Sequence, residues 1–538
     1  MAIKFLTPAQ LWQDFDPISE PLDLSVAYSS QDGEANLKGT YFTAVKDGEE
    51  QVRAFAEIKS SVAQPKKALL CVLTERDQLA LADSFDELLK RGFVVMTVDV
   101  SGIPDENGNA TKYTSAFSYA SYAAGVPDRF SATPSALNSP VFLWAKIVRR
   151  AITLLEYYYP KLKVSVMGAR TAADVAWQVA AADSRISALL ALLGDYSDPP
   201  VSADGDSSNA DSYTMSLSAK SAARRITCPC LIATCANAHG GDVEKISEVA
   251  NQMKDGIPFA MTITPRLNDQ ISESDLFSTY RWLDKTLKGE NAPEIKLSSS
   301  MSDGKIRFVL SCPIGKAQSA SVFLCYNDAA PTYRHWHEFP MKRHEDGSFS
   351  VEAPVWEGDR EVFAYASIAA PGGSNFASKG IGTLVTSMIP YRVSQFLLDT
   401  VSDHGMYADN SRETFLARES DFAIKEAPDG VPGFWGKGAL RTNILSEQGR
   451  YEPASSLHIS VYSKEDSEIR VCLMKDEDGK VVTYTAVAHA EGEEWTRLSF
   501  ETDDFKTEEL IPMKDWERLL GIILPDTDDK YYNNFLWM

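Results

Sequence analysis

The segment from Lys163 to Ala173, KVSVMGARTAA, places the tightest constraint on the fold. Residues 163–167 alternate in character and favour a buried strand. Gly168 then marks a turn. The run that begins at Thr171, TAADVAWQVAAADSRI, is rich in alanine and free of proline, which predicts a helix. The segment therefore predicts a strand, a tight glycine turn and a helix.

The chain around this segment predicts an α/β domain. Residues 1–66 contain three alternating runs, LDLSVAYSS, LKGTYFTAV and VRAFAEIKS, which predict an N-terminal β extension of that domain. Residues 67–290 alternate between predicted strands and helices, which indicates a mostly parallel sheet. Residues 103–139 interrupt this alternation with a long polar and aromatic stretch. A loop of that length carries function or forms a lid.

Several local features give residues 1–289 a resemblance to a known family. These are LWQDF near the start, RGFVVMTVDVSG, ITLLEYYYPKLKVSVMGAR, AADSRISALLALLG and STYRWLDKTL. In these features the segment resembles bacterial acetyl-xylan-esterase-like and dienelactone-hydrolase-like α/β-hydrolases. The resemblance implies that residues 168–172, GARTA, stand where that fold carries its G-x-S-x-G nucleophile elbow. A Rossmann-like strand, turn and helix with no site is the alternative interpretation.

The nucleophile position of this motif holds Arg170, and its last glycine is Ala172. A guanidinium stays protonated and presents only donors, so it cannot attack a carbonyl carbon. It can bind an anion, because the N-terminus of the following helix offers free N–H groups. We therefore predict that Arg170 and Thr171 bind an anionic group such as a carboxylate or a phosphate.

The other triad positions also depart from the family pattern. The resemblance implies an acid near residues 235–242, where Asp242 is the carboxylate and Asn237 lies nearer the end of the strand. It implies a base within TPRLNDQIS, where Asn268 is the best match and cannot accept a proton at neutral pH. The loop TERDQ, at the position of the first oxyanion donor, contains no glycine. The resemblance thus implies a degenerate triad of Arg170, Asp242 and Asn268, and we assign no catalytic residue.

Two histidine arrangements remain as alternatives. His239 lies four residues after Cys235 and three before Asp242, so it is a candidate for a catalytic base, and a loop histidine is the simpler interpretation. His335 and His337 would share one face of a strand and could hold a metal. With no further ligand nearby, we interpret them as surface histidines and predict no metal.

The second half of the chain is predicted to be all β. Residues 294–390 show short alternating segments that predict an immunoglobulin-like β-sandwich. Residues 391–538 resemble a jelly-roll of the carbohydrate-binding type. Sugars stack on exposed aromatic faces, and we predict binding by Trp435 and Trp495. The alternative interpretation is that most aromatic residues here, which also include Trp516, Tyr531 and Tyr532, fill the core of the sandwich.

Composition limits the classes of function. The 538 residues carry a net charge of −22, which disfavours nucleic acid and anionic membranes as partners. Neither a membrane-spanning run nor a signal peptide is evident, and the seven cysteines are expected to be reduced, so we predict a cytoplasmic protein. Phosphate-loop, dinucleotide, HExxH and EF-hand motifs are absent, and we predict no cofactor.

The sequence therefore predicts an esterase-like protein with impaired catalysis that binds a small-molecule or carbohydrate ligand. One alternative is an active carboxylesterase or deacetylase with a displaced serine in the 103–139 loop, served by His239. Another is a non-enzymatic structural module that forms homo-oligomers.

Overall fold

The structure is a computed structural model of the chain. It describes residues 3–32, 35–61, 64–74, 84–265, 267, 269–302, 305–326, 331–334, 336–354, 360–385, 396–399, 406–408, 416–417, 422–442 and 455–537. The chain divides into two compact units, each built from separate stretches. The first unit comprises Met1–Thr234, Glu244–Thr262 and Asp275–Pro293. The second comprises Cys235–Val243, Ile263–Ser274 and Glu294–Met538.

The first half of the chain alternates strands and helices, as predicted. Its strands are β1 Ser25–Asp32, β2 Ala35–Asp47, β3 Glu50–Ser60, β4 Lys67–Leu73, β5 Phe93–Asp99, β6 Lys163–Ala169, β7 Ile186–Leu192, β8 Cys230–Cys235, β9 Phe259–Thr264 and β10 Ile271–Ser272. Its helices are α1 Pro8–Trp12, α2 Asp86–Lys90, α3 Pro140–Tyr158, α4 Thr171–Ala182, α5 Ser208–Ser216, α6 Ala219–Ala223, α7 Val243–Ala250 and α8 Glu273–Leu287. Two 3-10 helices, Ser115–Ala120 and Ala136–Asn138, lie within the long loop.

Nine of these strands form one sheet in the order β1-β2-β3-β5-β4-β6-β7-β8-β9. Strand β3 runs antiparallel to both of its neighbours. Strands β5, β4, β6, β7 and β8 run parallel to one another. A sheet whose first strands, β1 to β3, alternate in direction, whose central strands are parallel, and in which β4 and β5 are exchanged in order fits an α/β-hydrolase fold. The predicted fold of the N-terminal half is therefore confirmed.

The central strands have apolar side chains on both faces because helices cover both faces of such a sheet. Strand β4 reads KALLCVL, and Leu69 and Leu70 are fully buried. Helix α4 buries Trp177, whose indole N–H donates to the Tyr196 hydroxyl over 3.2 Å. The indole of Trp144, in α3, donates to the Ala120 carbonyl over 2.9 Å and so fastens the long loop to α3.

The described part of the second half of the chain consists mainly of strands. They are β11 Lys296–Ser302, β12 Lys305–Ser311, β13 Ser319–Tyr326, β14 His337–Pro340, β15 Lys342–Arg343, β16 Phe349–Pro354, β17 Arg360–Ala370, β18 Ser374–Ala377, β19 Ile381–Val385, β20 Phe396–Asp399, β21 Met406–Ala408, β22 Leu416–Ala417, β23 Phe422–Glu426, β24 Pro432–Gly436, β25 Leu440–Thr442, β26 Leu457–Ser463, β27 Ser467–Glu477, β28 Lys480–Ala490, β29 Trp495–Phe500, β30 Leu519–Leu524 and β31 Lys530–Trp537. Two further 3-10 helices are Pro331–Tyr333 and Thr502–Asp504.

Apart from β22, which pairs in parallel with β10, these strands pair antiparallel and form two pairs of sheets. The first pair has the orders β11-β12-β16-β15 and β14-β13-β17-β18, with β19 also beside β17. That order supports the immunoglobulin-like label, which stays a prediction. The second pair has the orders β23-β24-β31-β26-β29, with β20 beside β31, and β21-β25-β30-β27-β28. The jelly-roll label also stays a prediction, whereas antiparallel sheets in this half are confirmed.

A hydrophobic core fills the last pair of sheets. Trp516, Tyr532 and Trp537 are each at most 2% exposed within it. The Trp516 indole donates to the Ser455 carbonyl over 2.8 Å, and its ring centroid lies 5.9 Å from that of Trp537. These aromatic residues therefore serve the core.

The state of the cysteines and the length of the helices can be compared with the predictions from composition. All seven cysteines are free of disulfides, and six of them are buried. Within the described residues, no helix is both long enough and apolar enough to cross a membrane.

Candidate functional site

The backbone at Arg170 has the conformation of a strained elbow. Arg170 follows β6 and caps α4 with φ 52° and ψ −123°. A residue with a side chain occupies this region rarely, and such a conformation costs roughly 1–3 kcal/mol. Hydrogen bonds hold the turn, since the Arg170 N–H donates to the Leu192 carbonyl over 2.9 Å and the Ala173 N–H donates to the Arg170 carbonyl over 3.0 Å.

Gly168 makes this turn sterically feasible. A Cβ atom built on Gly168 would lie 1.9 Å from the carbonyl oxygen of Ala172, which is a backbone atom and cannot move aside. The methyl of Ala172, by contrast, is fully buried and accommodated. The first glycine of the motif is thus required here, and the last one is not.

The tip of the elbow carries a cation in place of a hydroxyl. The side chains of Arg170 and Thr171 are both partly exposed, at the N-terminal end of the 12-residue helix α4. A fixed positive charge at a helix N-terminus favours an anion, since the unpaired N–H groups of the first turn carry partial positive charge. A nucleophilic attack from this position is chemically excluded for a guanidinium.

The loop after β8 uses its polar residues for structure. Asp242 is 3% exposed and directly precedes α7. Asn237 is fully buried, and its side-chain amide donates to the carbonyls of Pro331 and Arg334 over 2.9 and 2.7 Å. Both Asn237 and its partners belong to the second unit. The position nearest the end of β8 therefore anchors this loop to the chain that follows β13.

His239 and Cys235 differ in exposure. The ring of His239 is exposed, and its backbone N–H donates to the Asp269 carboxylate over 2.6 Å. Cys235 is fully buried, and burial raises the pKa of its thiol well above the usual value. A buried thiol of this kind is an inert core residue.

The predicted base position, Asn268, lies outside the described residues, as do residues 75–78 of the predicted oxyanion loop. Just after that position, β10 pairs in parallel with β22 of the C-terminal half. The loops after β8 and β9, where a hydrolase keeps its acid and base, thus both belong to the second unit.

Histidine is missing from the first unit altogether. The sequence contains seven histidines, and the first of them is His239. The first unit ends its initial stretch at Thr234 and has no histidine in its two later stretches. A serine–histidine–acid triad therefore cannot be assembled from that unit alone.

The two predicted sugar-binding tryptophans differ in their surroundings. Trp435 is partly exposed, but the Lys425 ammonium sits 3.2 Å above its ring. Trp495 is partly exposed and packs edge-on against Tyr462, with ring centroids 6.0 Å apart. Its indole N–H is buried and has no hydrogen-bond partner among the described residues. Trp495 is thus the more available of the two.

The described part of the chain contains no group of three or more residues placed to hold a metal ion. His337 lies in β14, whereas His335 lies outside the described residues. The prediction that these histidines are surface residues stays a prediction.

One cluster of charged residues was not predicted from the sequence. Asp174, in the first turn of α4, and Asp195, which follows β7, both pair with Arg129 from the long loop. The signal that could have revealed it is the single acid in the alanine-rich run TAADVAWQVAAA. An acid surrounded by apolar residues at helix spacing must be buried and therefore needs a partner.

The sheet order and the elbow define the first half of the chain as an α/β-hydrolase fold. Solved structures similar to this part include acetyl xylan esterase 1 from Thermoanaerobacterium sp. JW/SL YS485, at 15% identity and a TM-score of 0.37 over 49% of this chain and 88% of that one. They also include acetyl xylan esterase from Paenibacillus sp. R4, at 12% identity and a TM-score of 0.37 over 49% of this chain and 89% of that one. A third is a glucuronoyl esterase from Solibacter usitatus, at 14% identity and a TM-score of 0.35 over 50% of this chain and 86% of that one.

No protein-family model and no curated protein sequence matches the chain. The fold assignment rests on the strand order and on the backbone of the elbow.

Proposed function

We propose that this chain is a non-hydrolytic protein on an α/β-hydrolase fold whose elbow binds an anionic group of a small-molecule or carbohydrate ligand. The backbone at Arg170, with φ 52° and ψ −123°, carries this proposal. The strained turn that lifts a nucleophile out of the sheet is kept, and a cation takes the place of the nucleophile. A carboxylate or a phosphate suits a guanidinium because both accept two parallel hydrogen bonds.

Three further observations support the loss of hydrolysis. The first unit contains no histidine to serve as base. Asn237, near the acid position, is committed to two carbonyl groups. His239 is exposed, whereas Cys235, four residues earlier, is fully buried. Losing a single member of a triad already lowers the rate by orders of magnitude.

The hydrolysis part of the proposal is tested with p-nitrophenyl acetate. We expect no turnover above the buffer rate for the full chain. We expect the same result for Arg170→Ser, because the restored hydroxyl would lack a base. Turnover that a serine-directed fluorophosphonate abolishes would instead support the displaced-serine carboxylesterase and overturn the proposal.

The binding part is tested by isothermal titration with inorganic phosphate and with glucuronate. Arg170→Ala should weaken binding at least tenfold, and Arg170→Lys should retain part of it because the charge remains. Arg224→Ala is the matched control, since Arg224 is an exposed arginine of the same unit that bonds Gln252. Equal affinity of the Arg170→Ala and Arg224→Ala proteins would contradict the anion site.

A second candidate function is sugar binding by the C-terminal sheets. The partly exposed Trp495, with its indole N–H free of partners in the described structure, supports it. An oligosaccharide array should lose signal with Trp495→Ala. It should lose less with Trp435→Ala, because Lys425 already covers that ring. Tyr157→Ala, which removes an aromatic ring that is 65% exposed elsewhere, is the control and should leave the signal unchanged.

A further inference from the structure

A small cleft lies beside the elbow helix, within the first unit. We name it the acidic cleft and define it by Phe130, Asp174, Asp195, Tyr196, Tyr213 and Lys220. These residues come from the long loop, from α4, from the stretch after β7, from α5 and from α6. The free space between them admits one group the size of a water molecule or an ammonium.

Asp174, at the base of the acidic cleft, is poorly provided with hydrogen bonds. Its side chain is only 4% exposed. Its Oδ2 atom lies 3.5 Å from Nη1 of Arg129 and accepts from the Tyr213 hydroxyl over 3.5 Å, and both distances are long. Its Oδ1 atom receives no hydrogen bond from any residue with a described structure. A buried carboxylate normally has its acceptor sites filled, so the group that fills this one would come from the cleft.

The charge inside the acidic cleft favours a cation. Asp174 and Asp195 share the single guanidinium of Arg129, which leaves one carboxylate charge uncompensated. Arg129 itself is held 4.2 Å above the Phe130 ring. At the rim, Lys220 is already engaged by Glu248 at 2.6 Å. Aromatic rings line the remaining wall, and their faces attract cations.

We propose that the acidic cleft binds the primary ammonium group of a ligand, with Oδ1 of Asp174 as its main acceptor. An ammonium has the size of the free space and three donors to offer. A quaternary ammonium is too large for this space and has no donor. The site does not involve Arg170, so this inference goes beyond the proposed anion site and can fail or hold independently of it.

The protonation of Asp174 gives the site a pH dependence. Burial raises the pKa of the Asp174 carboxyl to about 7, while Arg129 opposes this rise and Asp195 adds to it. The other titratable or charged groups that line the cleft are Tyr196, Asp198, Tyr213 and Lys220, and Asp198 is itself paired with Lys245 at 3.0 Å. An ammonium needs the ionised carboxylate, so binding should release a proton. With a pKa near 7, affinity should rise about tenfold between pH 6 and pH 8.

The test is saturation-transfer NMR on the full chain with ethylammonium, and with tetramethylammonium and ethylene glycol as comparisons. At pH 8 we expect binding of ethylammonium, weak or no binding of the two comparisons, and about tenfold weaker ethylammonium binding at pH 6. Absence of ethylammonium binding at pH 8 overturns the proposal. Equal binding of ethylene glycol also overturns it, because the site would then be one for hydroxyl groups.

Matched variants locate the binding. Asp174→Asn keeps the shape of the side chain and should abolish ethylammonium binding. Asp195→Asn should weaken it several-fold, and it provides a second variant if Asp174→Asn does not fold. Asp211→Asn removes an exposed charge from α5 and should bind like the unchanged protein. Unchanged binding in both Asp174→Asn and Asp195→Asn overturns the proposal, whatever the result at Arg170.

Discussion

Replacing Arg170 by glycine should stabilise the protein relative to replacing it by alanine. Both changes remove the guanidinium, so their difference isolates the effect of a Cβ atom at φ 52° and ψ −123°. Relief of the strain favours glycine by roughly 1–3 kcal/mol. The greater freedom of glycine in the unfolded chain disfavours it by about 0.5–1 kcal/mol. The net expectation is that Arg170→Gly is more stable than Arg170→Ala, by on the order of 1 kcal/mol.

The measurement is urea unfolding of the full chain, followed by fluorescence and by circular dichroism. With a slope near 2–3 kcal/mol/M, the expected difference corresponds to a shift in midpoint of about 0.3–0.5 M. The neighbouring pair Thr171→Gly and Thr171→Ala is the control, because Thr171 begins the regular helix α4. There glycine should be the less stable by about 0.5–1 kcal/mol. If the Arg170 pair shows the same sign as the Thr171 pair, the turn is not strained and the elbow assignment fails.

Three other changes have defined outcomes. Gly168→Ala should lower stability by more than about 3 kcal/mol, seen as a large fall in Tm, because the new Cβ would meet the backbone of Ala172 at 1.9 Å. Asn237→Asp sets a carboxylate against two carbonyls and should lower the urea midpoint by at least as much as Asn237→Ala. The raised pKa of Asp174, about 7, means that its native carboxyl holds a proton that the unfolded one loses above pH 4. The stability of the unchanged protein should therefore fall from pH 4 to pH 7 relative to Asp174→Asn, by at most a few kcal/mol, and parallel profiles of Tm against pH would contradict this.

The elbow could be predicted from the sequence because the residues that form it are adjacent in the chain. The alternation of residues 163–167, Gly168 and the alanine-rich run correspond to β6, the turn and α4. Arg170 could likewise be placed at the tip by counting from Gly168. The antiparallel sheets of the second half also follow from short alternating runs separated by turn residues.

The acidic cleft and the role of Asn237 could not be predicted, because they depend on residues distant in sequence. Arg129 meets Asp174 across 45 positions, and Asn237 meets Arg334 across 97. Nothing in the spacing of either pair signals the contact. The exposure of Trp435 was similarly out of reach, since the side chain that covers its ring, Lys425, comes from the neighbouring strand.

The membership of the loops after β8 and β9 in the second unit has a consequence for how the protein can be divided. A cut after residue 293 separates, in sequence order, a hydrolase-like half from a β half. It would also part Asn237 from the carbonyls of Pro331 and Arg334, and β10 from β22. Neither half would then contain all of its own contacts. Replacing the β half by that of another protein would leave the loops after β8 and β9 without the residues they bind. If the chain arose by end-to-end fusion of two proteins, the loops after β8 and β9 must since have changed to fit the β half.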